Sequence, residues 1–491
     1  MTIRRTVAAV LAALMAATFA MSESAMAQKR MPGAGMARGG GGGYSGGGGG
    51  GGGAGLVGLG IGIAAGIIAS QPPAQAAPQM ADPPPRRQAN TPRTPRRPTG
   101  VPPANERRLV PDEVVVEVPN ATPAATITAV ESRHRLTRLD TQQIPLLGST
   151  LYRFRIPDRS SVPAAIRALE GDRRVRSIAS AQPNYLYTLQ QQTTEGSAAA
   201  ATPKSYGDPA QYAVAKMRLV EAHALAKGGE IRVAVIDSGI DPDHPELAGK
   251  IAGKFDTLPS PFAGHAHGTA IAALIAGNSR LMGAAPDARI LAARAFDPAG
   301  NAAEATTFNI IRALDWSVTE RARIINMSFA GPADPGIHRA LEAAYKKGIV
   351  LIAAAGNAGA KSPPLYPAAD PNVIAVTATD SSDQIFQGSN RGRHVTVSAP
   401  GVDLLVAVPN GGYQISTGTS YSAAEVSGIA ALMLQRKDDL TPKAVRDILS
   451  ATAKDLGKKG RDDDFGAGMT DAYRAVTEVP GSRVSDALPP K

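Results

Sequence analysis

The chain has no cysteine among its 491 residues. That excludes disulfides and a lipidated cysteine anchor, so a folded region must be held by its core, with or without bound ions. It also has no uninterrupted apolar run of the roughly 20 residues that a membrane-spanning helix needs. The stretch "LVGLGIGIAAGIIAS", Leu56–Ser70, stops short of that length and carries glycine at 58, 60, 62 and 66. Glycine weakens a helix in water but lets helices approach closely in lipid. The stretch therefore reads as unstructured or weakly membrane-associated, not as a span. Nor does the bulk of the chain carry an excess of one charge. The formal net charge is +10, yet residues 1–110 hold 12 Lys and Arg against three acids, and the rest of the chain holds 40 against 39. The basicity belongs to an N-terminal tail, which argues against nucleic acid as a partner.

What is there begins with an export signal. "MTIRRTVAAVLAALMAATFAMSESAMAQ" has Arg4 and Arg5, an apolar core from Val7 to Ala20, and Ala25-Met26-Ala27 before Gln28. These are the parts of a secretory signal peptide over residues 1–27, and they predict a secreted, periplasmic or cell-envelope protein. Residues 28–105 are low complexity: a Gly-rich coil, then a basic, Pro-rich spacer. Residues 106–190 are globular in composition. "EVVVEV" and "STLYRFRI" read as strands, 123–135 and 160–172 as helices, and a further strand falls near Leu136–Leu147. "VRSIASAQPNYLY" is extended, with Pro183 demoting its end from a central ladder. The order β-α-β-β-α-β predicts a ferredoxin-like α+β sandwich. Residues 191–208 read as a polar, exposed linker. Over 209–478 the apolar strands "IRVAVID", "ARILAARAF", "ARIINMSF", "GIVLIAAAGN", "VIAVTAT" and "VTVSAP" alternate with helices. That pattern predicts a three-layer α/β domain with a parallel sheet covered on both faces. Residues 479–491 read as a tail.

Within this domain, "GTSYSAAEVSG" (418–428) raises a question about Ser420. Serine is a favoured helix N-cap, and an apolar helical stretch follows. It could equally be a nucleophile, if a base, an orienting group and oxyanion donors accompany it. Such groups gather at strand carboxyl ends and helix starts of a parallel sheet. Asp237 ends "RVAVID", where a partly buried acid could orient a histidine. His267 opens "HGTAIAALIAG", a Gly-Thr step into a helix. His265 and His244 read as surface or supporting histidines. Asn357 ends "LIAAAGN", where its amide could donate to an oxyanion. Ser420 at a helix start could add its own N–H and the positive helix end.

"VAVIDSGIDPDHPEL", "HGTAIAALIAG", "AAAGN" and "GTSYSAAEVSG" resemble the four signature blocks of the subtilisin-like serine proteases (subtilase family, peptidase S8), in the order Asp, His, Ser. The resemblance covers about 209–478, and the sandwich before it resembles that family's inhibitory pro-domain. It implies a secreted serine endopeptidase acting on protein or peptide substrates, with Asp237 orienting His267, His267 as general base and then acid, and Ser420 as nucleophile. Asn357 and the Ser420 N–H would form the oxyanion hole. Ser328, Phe329 and Ala330 in "NMSFAG", with Ala354, Ala355 and Gly356, would wall the pocket for the residue before the cleaved bond. These walls carry no charge, so an apolar residue is expected there. The resemblance also implies a zymogen, with the chain's own pro-domain as intramolecular inhibitor and a maturation cut between about Tyr187 and Tyr206. Tyr421 through Ala424 depart from the family's Met-Ala-x-Pro, and Tyr421 is expected to narrow the site. Ala270 and Ala273 replace the family's His and Gly, and Ala330 replaces a Gly. No cofactor is expected; calcium stays open, with no site identified for it. The family often carries a calcium loop after the histidine block, but "GNSRLM" has no carboxylate, so no metal site is carried over. Two other readings are a catalytically inactive subtilisin fold that binds a partner, and an envelope protein anchored through its N-terminal region.

Overall fold

The computed structural model describes residues 99–157, 160–172, 178–189, 207–298 and 303–480, and the main chain of 192–197. The expected signal peptide over 1–27, the low-complexity chain through residue 98 with its stretch 56–70, linker residues 198–206 and the expected tail over 481–491 lie outside the described residues.

Residues 109–189 form β1 (Leu109–Pro119), α1 (Ala124–His134), β2 (Thr137–Ile144), β3 (Ser149–Arg155), α2 (Val162–Gly171) and β4 (Ser180–Leu189). The strands lie antiparallel in the order β4-β1-β3-β2, the ferredoxin-like arrangement. Strand periodicity divides the side chains between two faces. Val114, Val116 and Val118 pack with Ile127, Val130, Ile166 and Leu169 of the two helices. Val115, Leu151, Tyr185 and Tyr187 point the other way, into a different core. β4 runs straight through Pro183 to Leu189. Opposite it the β1 register shifts between Leu109 and Val114, so the proline falls at an irregularity where a missing donor is tolerated. The expectation that Pro183 would demote the strand's end is corrected accordingly.

After β5 (Gln192–Ser197) come two short helices, α3 (Tyr212–Lys216) and α4 (Leu219–His223), and then the α/β region. Its elements are β6 (Arg232–Asp237), β7 (Ile251–Asp256), α5 (Ala266–Ala276), β8 (Arg289–Arg294), β9 (Glu304–Thr306), α6 (Thr307–Thr319), β10 (Ile324–Met327), β11 (Phe329–Ala330), α7 (Pro335–Lys346), β12 (Val350–Ala354), β13 (Val373–Thr379), β14 (Val395–Pro400), β15 (Leu404–Val408), β16 (Gly412–Thr417), α8 (Thr419–Arg436), α9 (Pro442–Thr452) and α10 (Ala472–Thr477). Seven strands form one parallel sheet in the order β14-β13-β12-β10-β6-β8-β7. Its inner runs are buried on both faces, as a parallel sheet requires, while edge strand β7 is only partly covered. Val233, Val235, Ile290 and Ile352 meet α5 and α8 on one face. Ala234, Ile236, Leu291 and Leu351 meet α6 and α7 on the other. This is the three-layer α/β architecture expected.

The sandwich sits on α6 and α7. Asp334 caps α7 through the Gly336 and Ile337 N–H groups and also accepts from Gln182 Nε2 at 2.6 Å. The Thr307 hydroxyl accepts from the Tyr185 N–H at 2.9 Å, and Arg339 pairs with Glu117 across the contact. Two features differ from expectation. The linker is not wholly exposed, because β5 pairs antiparallel with β16. Val479, assigned to the tail, is buried with the core of α8 and α10.

Candidate active site

Parallel strands deliver their carboxyl ends to one edge of the sheet, and the predicted residues collect there. Asp237 is the last residue of β6, His267 the second of α5, and Ser420 the second of α8. Asn357 follows β12 by three residues. Asp237, His267 and Ser420 are all fully buried. His267 Nδ1 lies 2.8 and 2.9 Å from the two Asp237 carboxylate oxygens. A carboxylate only accepts, so Nδ1 carries the proton and Nε2 keeps a lone pair. Nε2 is buried and has no hydrogen-bond partner among the described residues.

Ser420 differs from the expected cap. The N-cap of α8 is Gly418, in extended backbone and without a side-chain cap bond. Ser420 therefore sits one step inside the first turn, with its N–H at the positive end of the helix. Its hydroxyl donates to the Ser328 carbonyl at 3.2 Å rather than to His267. The Tyr421 ring lies 6.0 Å from the His267 ring. Tyr421 itself is fully buried in the core with Ala423 and Val426. It props the histidine from below and does not narrow the cleft, which corrects the expectation from its neighbouring position.

The Asn357 Oδ1 accepts from the Thr419 N–H at 3.1 Å and its hydroxyl at 2.8 Å. That contact fixes the amide and ties the β12 loop to the start of α8. Gly356 is required here: its φ is 114°, and a Cβ would come within 2.7 Å of Asn390 Nδ2. Ala354, Ala355 and Phe329 are fully buried, Phe329 stacking edge-on with Tyr187. Ser328 is also buried and breaks the expected strand "ARIINMSF" into β10 and β11. Of the ten residues named from sequence, only Ala330 and Asn357 line the cavity of about 710 Å³ that opens at this edge. Leu186, Thr188, Leu189, Glu304, Ser362, Pro363 and Leu365 also line it.

The end of β4 crosses this edge. Thr188 pairs with Ala330 and Leu189 with Phe329 on one side, while Leu186, Tyr187 and Thr188 pair with β9 on the other. Tyr187 is fully buried, and its hydroxyl donates to the Pro332 carbonyl at 2.9 Å. Residues missed from sequence are β9, whose three residues carry no periodic signal, and Ser238, which hydrogen-bonds Asp237 from the next position. His265 supports the site through Ser238, in line with the supporting role expected. His244 is fully buried and caps the turn at Pro245–Leu247, so it is not a surface residue.

The loop expected to lack calcium is closed by a carboxylate. Glu246 accepts from the Ser279, Arg280 and Leu281 N–H groups, each at 2.9 Å, and from the Tyr413 hydroxyl. Donors turned inward suit an anion and do not fit a cation. Among the described residues, no three His, Cys, Asp or Glu side chains cluster as metal ligands.

The sequence profile described as "Subtilase family" matches residues 228–468. Thermitase from Thermoactinomyces vulgaris is 33% identical over 279 residues, covering 55% of this chain and 97% of thermitase. The chain belongs to the subtilase family. As a subtilase it is a serine-type endopeptidase. The thermophilic serine proteinase of Bacillus sp. (strain AK1) is 31% identical over 362 residues, 72% of this chain and 85% of that protein. That alignment is longer than the α/β region, so the subtilase likeness includes residues outside it. Among solved structures, fervidolysin from Fervidobacterium pennivorans, a keratinolytic enzyme related to subtilisin, superposes with a TM-score of 0.64 at 23% identity. The match covers 76% of this chain and 62% of fervidolysin, and shows the shared fold.

Proposed function

We propose that this subtilase is an exported endopeptidase made as a self-processed zymogen, with Asp237, His267 and Ser420 as its triad. Ser420 Oγ attacks the scissile carbonyl carbon while His267 Nε2 takes its proton. Asp237, bonded to Nδ1, stabilises the imidazolium that forms. The Asn357 amide and the Ser420 N–H hold the oxyanion. His267 then returns the proton to the leaving amine as the C–N bond breaks, and water hydrolyses the acyl-enzyme by the same steps. The signal peptide over 1–27 directs export, and the segment 56–70 adds at most a weak membrane contact. Ser328 through Ala330 and Ala354 through Gly356 hold the substrate strand, and because these six residues carry no charge they favour an uncharged residue before the cut.

The observation that carries the zymogen reading is the pair of strand registers flanking Ser420. β4 ends on β11 with Leu189 opposite Phe329, and β5 begins on β16 with Gln192 opposite Thr417. Ser420 lies between these two docking strands, three residues after Thr417 and bonded to Ser328. One chain laid antiparallel along both strands is what a substrate of this site would do. The sandwich, residues 106–190, thus acts as an inhibitory pro-domain, and the maturation cut falls between Leu189 and Gln192. Full-length Ser420→Ala should accumulate as the signal-cleaved precursor, uncut at this junction, with activity down by about 10⁶. A Ser420→Ala chain that processes itself as the wild type does would overturn the assignment.

A further inference from the structure

The mechanism leaves one buried contact unused: a second histidine joined to the triad's aspartate through a hydroxyl. His265 Nδ1 lies 2.7 Å from Ser238 Oγ, and Ser238 Oγ lies 3.0 Å from Asp237 Oδ1. The same Oδ1 accepts from the Ser238 N–H at 2.8 Å and from His267 Nδ1 at 2.8 Å.

Proton counting fixes the direction of this chain. Ser238 Oγ has one proton and can donate once. A carboxylate cannot donate back, so the 3.0 Å contact requires the serine proton to point at Asp237. The 2.7 Å contact then requires His265 Nδ1 to donate to Ser238. His265 Nδ1 also lies 3.4 Å from the His267 N–H. One nitrogen cannot both donate and accept, and the contact shorter by 0.7 Å decides. Ser238 is fully and His265 partly buried, so the hydroxyl has little water to turn towards.

We propose that His265 is a positioning residue of the peptidase reaction, acting through Ser238 to lock the Asp237 carboxylate in the orientation that serves His267. This rests on the triad reading given above. Unlike a side chain that only packs, His265 titrates. The charged groups facing its ring are Asp237, at the end of β6, and His267, on α5. Burial holds its pKa below the usual histidine value, against the pull of Asp237. When His265 takes a second proton, its charge sits two hydrogen bonds from Asp237. It then offsets part of the field that stabilises the His267 imidazolium in the transition state. The neutral form is therefore the faster one.

The test is kinetic, on the mature enzyme with a chromogenic peptide across pH. His265→Ala removes the donor and should lower kcat several-fold at the optimum with KM unchanged. His265→Asn supplies an N–H donor that does not titrate. It should keep the wild-type rate at the optimum and, relative to that optimum, retain several-fold more activity than wild type on the acid side, where His265 takes its second proton. In a Ser238→Ala background, His265→Ala should have no further effect, because the link is already cut. If His265→Asn falls with His265→Ala, or if His265→Ala costs as much with Ser238→Ala as without it, the proposal is overturned. Asp237→Ala separates this from the triad reading. If that variant keeps full activity, the triad itself fails, whereas a large loss there with silent His265 variants removes only the positioning role.

Discussion

The Asp237–His267 pair is bonded through both carboxylate oxygens, and it leaves His267 Nε2 with its lone pair and no partner among the described residues. The Asn357 side-chain oxygen holds Thr419, and the proposed duty of its amide is to donate to the oxyanion. Asn357→Ala should lower kcat by 10²–10³, about 2.7–4 kcal/mol of barrier, with KM little changed. A loss confined to KM in steady-state kinetics would mean that Asn357 binds substrate and does not stabilise charge. At this scale the sequence was legible wherever an apolar run stops at a polar residue, because a buried strand must end where chemistry begins. It was not legible where the outcome depends on which way a side chain turns. Tyr421 follows the nucleophile in sequence, yet helix geometry sends its ring into the core under His267. Ser420 has the identity of a cap, but Gly418 holds that position.

At the scale of elements, α8 is unusual in what it buries. Thr419 through Leu434 are all buried, and Glu425 is among them, with its Oε2 unpaired. Burial pushes the Glu425 carboxyl up to about 8. The folded state therefore keeps a proton that the unfolded chain releases near pH 4.5. Stability contributed by the protonated form is complete below that pH and is lost as pH rises towards 8. Glu425→Gln should melt like wild type near pH 4.5 and increasingly above it as pH approaches 8. Melting curves whose difference is flat with pH would show that Glu425 is ionised in the fold. The other telling element is the end of β4. Tyr187 fills a buried site against Phe329 and donates to Pro332. Residues 106–190 added in trans should inhibit the mature enzyme at micromolar concentration. Tyr187→Ala should raise that inhibition constant more than about a hundredfold, given 3–5 kcal/mol for a buried aromatic truncation. A sandwich with no inhibitory effect, or one indifferent to Tyr187, would contradict the pro-domain role. The two-residue β11 and three-residue β9 that clasp this strand could not be read in advance. They are too short for periodicity, and their partners lie more than 100 residues away in the chain.

Over the whole molecule, the sequence resolves into pieces that carry their own signals. Alternating strands define the sandwich, and doubly buried runs define the parallel sheet, so both architectures were legible from hydrophobic period alone. The contact between them was not, because it depends on single polar pairs such as Gln182 with Asp334 and Tyr185 with Thr307. That contact is what lays residues 186–189 along the cleft beside Ser420. Everything proposed for this site depends on Ser420 being the nucleophile of a triad with His267. The most direct measurement is to treat the processed protein with a fluorophosphonate and map the adduct by peptide mass. The expected result is a single adduct on Ser420, absent in His267→Ala. An adduct on another serine, or full peptidase activity with Ser420 unlabelled, would contradict it.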